Sequence, residues 1–419
     1  SEGKKGFSFE IDAFGIFGGV NDYRYWAVDV NTDFTPCITL SALSVCGFSG
    51  GAYRRMAITE TGADPSKLGV SMRGNQYKPK QNVGLGIRAG VRVQFSGTKS
   101  LSGSAMFQFQ FSDHGSLQLV FFEGSVEFQV PMDKVPGLTK VVGAISKYAN
   151  LGVDDVVKNL KGKNESDILN NCVNTAKATA TIMLNFEEER FTSALVFTIS
   201  LYNGLLVGSG KADILADFKK NEFHFNIGTY SDRVYLAAKL GNFKAEVNTY
   251  TMLGNDITGF PPLDPAIASF LKLPANKIEL DARSHEQNIE TGSGMLFGAG
   301  VKINYEDCKW VGVNVRAKVD FLAGFDAGFL KFDDSKRCNG EKFGIDNWYN
   351  MARFYLLLNM EVGRHKKCKK DYHHWGGINI GAFLEGQFPN PVYIEGKFTF
   401  RMCGFNLGYN FKSGERCNL

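Results

Sequence analysis

Four residues late in the chain have the types that bind metal: His365, Cys368, His373 and His374, in the run RHKKCKKDYHHW. Neutral imidazole and thiolate at such spacing can converge on one cation. Arg364, Lys366, Lys367, Lys369 and Lys370 oppose the approach of that cation, so the expectation is a polar turn with no metal ligand. The same basic run is short and isolated. Lys and Arg (47) nearly balance Asp and Glu (43) over the whole chain, which leaves no extended basic stripe and no expected nucleic-acid partner.

Carboxylates are the next candidates. Glu187, Glu188 and Glu189 precede Arg190 at the edge of a strand block, and Asp320 and Asp326 stand on the less apolar parity of a long alternating segment. A pair of carboxylates hydrolyses a glycosidic bond when held roughly 5–10 Å apart around it. No spacing here fixes such a pair. GxSxG, HExxH and the phosphate-binding loop are all absent, and the GxG triplets fall inside alternating strands. Trp26, Trp310, Trp348 and Trp375 are scattered and read as packing residues in preference to a sugar-stacking platform. No catalytic, cofactor-binding or metal residue is assigned, no cofactor is expected, and the chain is read as more an interaction protein than an enzyme.

The eight cysteines, Cys37, Cys46, Cys172, Cys308, Cys338, Cys368, Cys403 and Cys417, include no CxxC pair, which excludes zinc ribbons and fingers. Several sit in turn-like stretches (YEDC, SKRCNG, KKCKKD, GERC), and all eight are disulfide candidates for an oxidising compartment. Cys37 and Cys46, separated by ITLSALSV, are the most attractive local pair. Asn164-Glu165-Ser166 is a permissive glycosylation sequon.

What must position these residues is a chain dominated by period-two alternation. In 83–95, Val83, Leu85, Ile87, Ala89, Val91, Val93 and Phe95 share one parity, against Gly84, Gly86, Arg88, Gly90, Arg92 and Gln94. Phe107, Phe109 and Phe111 alternate with Gln108 and Gln110, and a run from Val311 to Phe329 holds one apolar parity throughout. That last run would cover roughly 60 Å if straight, so it is strongly bent, broken by a turn at Ala323-Gly324, or part of an unusually tall sheet. Three segments read as helical instead: 138–160, a segment opened by the cap-like Asp264-Pro265, and one after Asp346 carrying Trp348, Met351, Ala352 and Tyr355.

The chain has 419 residues, 47 of them Gly and 35 Phe, with 44% hydrophobic residues and a net charge of +4. A body of that size has a large core available without staples, and disorder and collagen-like repeats are excluded. The fold class expected is mainly β: long twisted antiparallel sheets of Gly-rich strands, the apolar face covered by a few helices, with a minor α+β component. Two regions are expected, 1–175 with a helical insert at about 134–160, and 176–419 with short helices at about 264–272 and 346–357. Residues 1–15 lack the apolar stretch of a signal peptide, and no window of 18 uncharged apolar residues occurs. A processed piece of a longer product is as compatible with this as a complete one.

Phe225-Asn226-Ile227-Gly228-Thr229, Tyr250 to Leu271 and Gly292 to Val301 together resemble a segment of very large, mostly uncharacterised surface or exported proteins of Bacteroidota. The resemblance covers about a fifth of the chain. It implies the C-terminal part of a long cell-surface protein, with disulfides and no membrane-spanning helix, and it brings no catalytic residues.

The function expected is therefore a non-catalytic structural or interaction module of a cell-surface or exported protein. Its partners would be other surface or secretion-machinery proteins, with membrane association through a partner. Three alternatives stand beside it: an outer-membrane β-barrel, a glycan-active enzyme and a lipid-binding groove. The barrel accounts for the polar parities as a lumen, but the helical stretches, the cysteines and apolar parities longer than a crossing requires count against it.

Overall fold

The structure, a computed structural model, describes residues 7–20, 22–40, 43–60, 63–95, 101–131, 173–201, 204–257, 260, 262–273, 292–307, 315–332, 337–338, 341–342, 344–364, 373–402 and 404–414. The protein is mainly β, with long antiparallel strands and a minor helical component. It divides into two compact units, one built on Ser1–Val130, Thr175–Phe197 and Asp213–Glu222, the other on Pro131–Asn174, Thr198–Ala212 and Phe223–Leu419.

The first unit carries β1 (Ser8–Val20), β2 (Tyr23–Thr35), β3 (Ile38–Leu40), β4 (Leu43–Arg54), β5 (Met56–Glu60), β6 (Gln76–Pro79), β7 (Val83–Phe95), β8 (Leu101–Ser112) and β9 (Leu117–Pro131). Antiparallel pairing runs β1 to β2, β2 to β4, β4 to β7, β7 to β8 and β8 to β9, with β3 added to β4. The short β5–β6 hairpin forms its own two-stranded sheet. Its Met56 and Tyr77 are buried with Ala27, Tyr53 and Val83, and Phe14 and Ile16 pack against them. β10 (Val173–Asn185), β11 (Arg190–Leu201), β12 (Leu206–Asp217) and β13 (Glu222–Ile227) come next along the chain.

The second unit continues with β14 (Val234–Leu240), β15 (Phe243–Ile257), helix α1 (Pro265–Leu271), β16 (Gly292–Asp307), β17 (Val315–Lys331), β18 (Arg337–Cys338), β19 (Glu341–Lys342), β20 (Trp348–Arg364), β21 (His373–Phe388), β22 (Tyr393–Met402) and β23 (Phe405–Gly414). β14, β15, β16, β17, β20, β21, β22 and β23 form a meander, each antiparallel to the next. β17 is continuous over 17 residues, so Ala323-Gly324 is no turn. Gly324 is needed there because a Cβ would come within 2.5 Å of the Tyr355 hydroxyl on the next strand.

The alternation is present as read, but the sidedness differs. Phe325, Phe354 and Leu384 stand on three adjacent strands and are 42%, 46% and 44% exposed. The residues that follow or precede them, Asp326, Arg353 and Glu385, are 1–2% exposed. In the first unit Phe107 and Phe109 are likewise exposed while Gln108 and Gln110 are buried. The helix does not cover the Phe- and Val-rich face. α1 packs on the opposite, polar parity, where Ile267, Ala268 and Leu271 meet Tyr355 and Phe383, with Leu322 and Leu357 alongside.

α1 forms where the sequence placed it. The Asp264 carboxylate accepts the Ala266 N–H at 2.8 Å, Pro265 occupies the first turn, and Lys272 ends the helix in a left-handed conformation. The helix expected at 346–357 is corrected: Trp348–Arg364 is a strand. Asp346 and Asn347, at φ 50° and 65°, form a turn into that strand instead of a helix cap. The helical expectation over 134–160 lies outside the described residues. No helix among the described residues is long and apolar enough to cross a membrane, which leaves crossing by strands open.

Candidate functional site

In the second unit the buried parities of β15, β17 and β20 converge on Asp326. Arg353 donates from Nε at 3.1 Å and from a terminal nitrogen at 2.5 Å to Oδ2. Tyr250 donates its hydroxyl to Oδ1 at 2.9 Å, and Arg233 approaches the same oxygen at 3.3 Å while donating to Asn248 at 3.0 Å. The Arg233 guanidinium lies 4.8 Å from the Tyr250 ring centre, and that of Arg353 lies 5.0 Å from the Phe260 ring. The two arginines and one carboxylate thus share a buried, aromatic-walled cluster, where charge pairing is strong and unpaired charge is expensive.

Glycine makes room for this cluster. Gly298 of β16 pairs with both Tyr250 and Asp326, and a Cβ there would fall 2.4 Å from the Asp326 carboxylate and 2.6 Å from the Tyr250 ring. The same transverse row continues through Glu385 to Glu395, which accepts the Tyr393 hydroxyl at 2.7 Å. Further along the strands, Asp320 accepts from Asn304 at 2.9 Å and Asn359 at 3.5 Å and pairs with Lys318 at 2.7 Å. Arg316 pairs with Glu306 at 2.6 Å. The polar parity of this sheet is therefore a wall of both signs, and α1 lies against its apolar interruption.

The first unit has its own polar wall. Asp29 is buried and accepts from Asn75 at 3.0 Å and from the Tyr77 hydroxyl at 3.2 Å, with Arg88 at 3.9 Å. Asp33 is paired with Arg92 and, at 2.7 Å, with Arg73. Gln108 donates to the Tyr53 hydroxyl at 2.9 Å, and Tyr53 donates to Gln110 at 3.2 Å. The β5–β6 hairpin and the loop inside it are tied to this wall through Tyr77, Asn75 and Arg73. In that loop the Ser66 N–H and hydroxyl, donating at 3.0 and 2.8 Å, hold the Asp64 carboxyl below its ordinary range.

The carboxylates singled out by sequence are placed apart. Asp320 and Asp326 share a face of β17, but six residues of strand separate them by roughly 20 Å, well beyond the spacing of a glycosidase pair. Each is already neutralised by its own partners. Glu187, Glu188 and Glu189 form the turn after β10: Asn185 accepts the backbone N–H groups of Glu187 and Glu188, and Asn82 donates to the Glu187 carboxylate at 2.8 Å. Glu187 and Glu188 are turn residues held by amides, and Glu189 lies 3.9 Å from Lys219.

Cys37 and Cys46 form a disulfide across the β3–β4 hairpin, with Cα atoms 4.3 Å apart. Cys338 stands on β18, while Cys172, Cys308, Cys368, Cys403 and Cys417 lie outside the described residues, as do His365 and Trp310. Among the described residues no group of His, Cys, Asp and Glu is arranged to hold a metal. Arg233, Asn248, Tyr250 and Arg353 were not singled out in the sequence. The signal available was Arg353 as the lone charge within MARFYLLL, on the parity opposite Phe354.

No protein-family model and no curated protein matches the chain. Two solved structures, OccAB4 of Acinetobacter baumannii and OccK5 (OpdH) of Pseudomonas aeruginosa, are similar over 97% of this chain and 97% of theirs. Identity is 10% in each case and the TM-scores are 0.23 and 0.22, an extent of likeness that transfers neither residues nor function. The resemblance to very large Bacteroidota surface proteins is corrected: no family model or curated protein bears it out, and the two structures found are from Acinetobacter and Pseudomonas. The expectation of a secreted or cell-surface interaction module, with surface or secretion-machinery partners and only indirect membrane association, is corrected too. A module of that kind in water would bury its Phe and Val parities, and here those parities are exposed on both units.

Proposed function

We propose that the chain is an outer-membrane β-barrel whose charged parity lines a path for polar solutes. The observation that carries this reading is the pair of adjacent rows on β17, β20 and β21: Phe325, Phe354 and Leu384 exposed, Asp326, Arg353 and Glu385 buried. Water would select the reverse. Lipid on one side and a polar interior on the other select this alternation strand after strand. Crossing by strands also requires that the sheet close, because an unpaired edge in hydrocarbon leaves backbone groups unsatisfied.

The height of the apolar band fits. Trp348 opens β20, and Trp375 stands at the bulge opposite Val362 and Gly363, both tryptophans being exposed. From Trp348 to Val362 the strand rises about 46 Å, or about 35 Å along the normal of a sheet tilted by about 40°. A hydrocarbon band of about 25 Å flanked by aromatic girdles sits within that height. Strands longer than the minimal crossing therefore carry their girdles and project beyond them.

The test is reconstitution. Full-length chain refolded in detergent should migrate faster unheated than boiled in denaturing gels, as closed barrels do, and should give discrete conductance steps in planar bilayers. A chain that is monodisperse without detergent and never raises bilayer conductance would overturn the reading.

A further inference from the structure

The outward face of the first unit departs from its apolar pattern at one place. Trp26 of β2 pairs with Arg54 of β4, and Leu85 of β7 pairs with Phe111 of β8, so a cation stands in an otherwise apolar stretch near the strand ends. These four residues, with Ser112 and Asp113, line a cavity of about 490 Å³. Arg24 lies two residues from Trp26 on the same parity and is exposed, as is Arg54. Among the described residues neither arginine has a carboxylate partner. The one carboxylate at the cavity, Asp113, is already paired with Arg55 at 3.3 Å. Ser112 Oγ accepts the His114 and Ser116 N–H groups, which leaves its own proton to donate.

The Arg54 guanidinium at the rim of this surface, above apolar side chains and beside a tryptophan, with Arg24 two residues along β2 from that tryptophan, complements one ligand chemistry: a phosphate that carries acyl chains. We propose that Arg54 and Arg24 bind the phosphate of an anionic phospholipid whose chains lie over Leu85 and Phe111. Arg54 and Trp26 stand at the end of the unit where β8 turns into β9 through Gly115. The inference rests on the membrane-spanning reading and adds a specific lipid to it.

The experiment uses full-length chain refolded into vesicles of phosphatidylcholine, with and without phosphatidylglycerol. After extraction into a non-ionic detergent, native mass spectrometry counts the lipids retained. The wild type should keep phosphatidylglycerol in preference to phosphatidylcholine. Arg54→Gln and Arg24→Gln should each lower that retention about fivefold, and Arg54→Lys should restore most of it. Heat-modifiable migration establishes that each variant has folded. Equal retention by the folded glutamine variants, no preference between the two lipids, or displacement of the lipid by inorganic phosphate alone would each overturn the proposal. Failure of the wild type to enter any vesicle would overturn the membrane reading itself, and with it this site.

Discussion

Asp326 is surrounded by two arginines and a tyrosine, and its removal tests whether the buried wall is held by charge pairing. Asp326→Ala leaves Arg353 buried without its counter-ion, which should cost about 3–5 kcal/mol in denaturant unfolding of the reconstituted protein. Adding Arg353→Met removes the orphaned charge and should recover most of that loss; a double variant no better than the single one would refute the pairing. Gly298→Ala probes the same place by volume. Its Cβ would overlap the Asp326 carboxylate and the Tyr250 ring, and overpacking of this kind should cost about 1–3 kcal/mol by the same measurement. Neither Asp326 nor Gly298 announces its surroundings in sequence. Asp326 is one of several acids on a polar parity, and only the register of β15, β16, β17 and β20 brings Tyr250, Gly298 and Arg353 to it.

Elements were legible where local chemistry alone decides them. α1 was readable because Asp264-Pro265 supplies a cap and a preset first turn within three residues. β20 was misread because Trp348, Met351, Ala352 and Tyr355 satisfy a helical stripe, while Tyr349, Met351, Arg353, Tyr355 and Leu357 satisfy a strand equally well. Pairing to β17 and β21 along its whole length settles the choice, and that pairing is non-local. α1 itself has a testable role on the polar parity. Gly381 admits it, since a Cβ there would fall 2.5 Å from the Phe270 ring. Ile267→Asp with Leu271→Asp places two carboxylates at buried positions and should release the helix from Tyr355 and Phe383. If α1 narrows the path for solutes, single-channel conductance should rise in this variant; unchanged conductance in a folded variant would show that the helix lies clear of the path.

On the scale of the molecule, period-two alternation defines two faces for every strand and leaves open which face meets which solvent. That is why the alternation of the strands at 83–95 and 315–331 is legible and yet consistent with a covered core: a Phe and Val parity is as consistent with lipid outside as with helices inside. The glycines on the opposite parity were the overlooked sign, because they admit buried side chains such as Tyr53 over Gly86 and Tyr250 over Gly298, filling the polar side and not the apolar one. The same two-solvent logic yields a measurement with opposite outcomes for the two readings. Phe354 stands exposed on β20. On a water-facing surface Phe354→Arg should change stability by no more than about 0.5 kcal/mol. Facing the middle of a bilayer, it should cost about 2–4 kcal/mol. Equilibrium unfolding from lipid vesicles distinguishes these values, and the larger cost is expected. A residue of the polar parity provides the internal control: Lys302→Ala, on β16, should leave stability nearly unchanged while altering the ion selectivity of the conductance. Loss of stability at Lys302 with none at Phe354 would invert the assignment of faces on which the membrane reading stands.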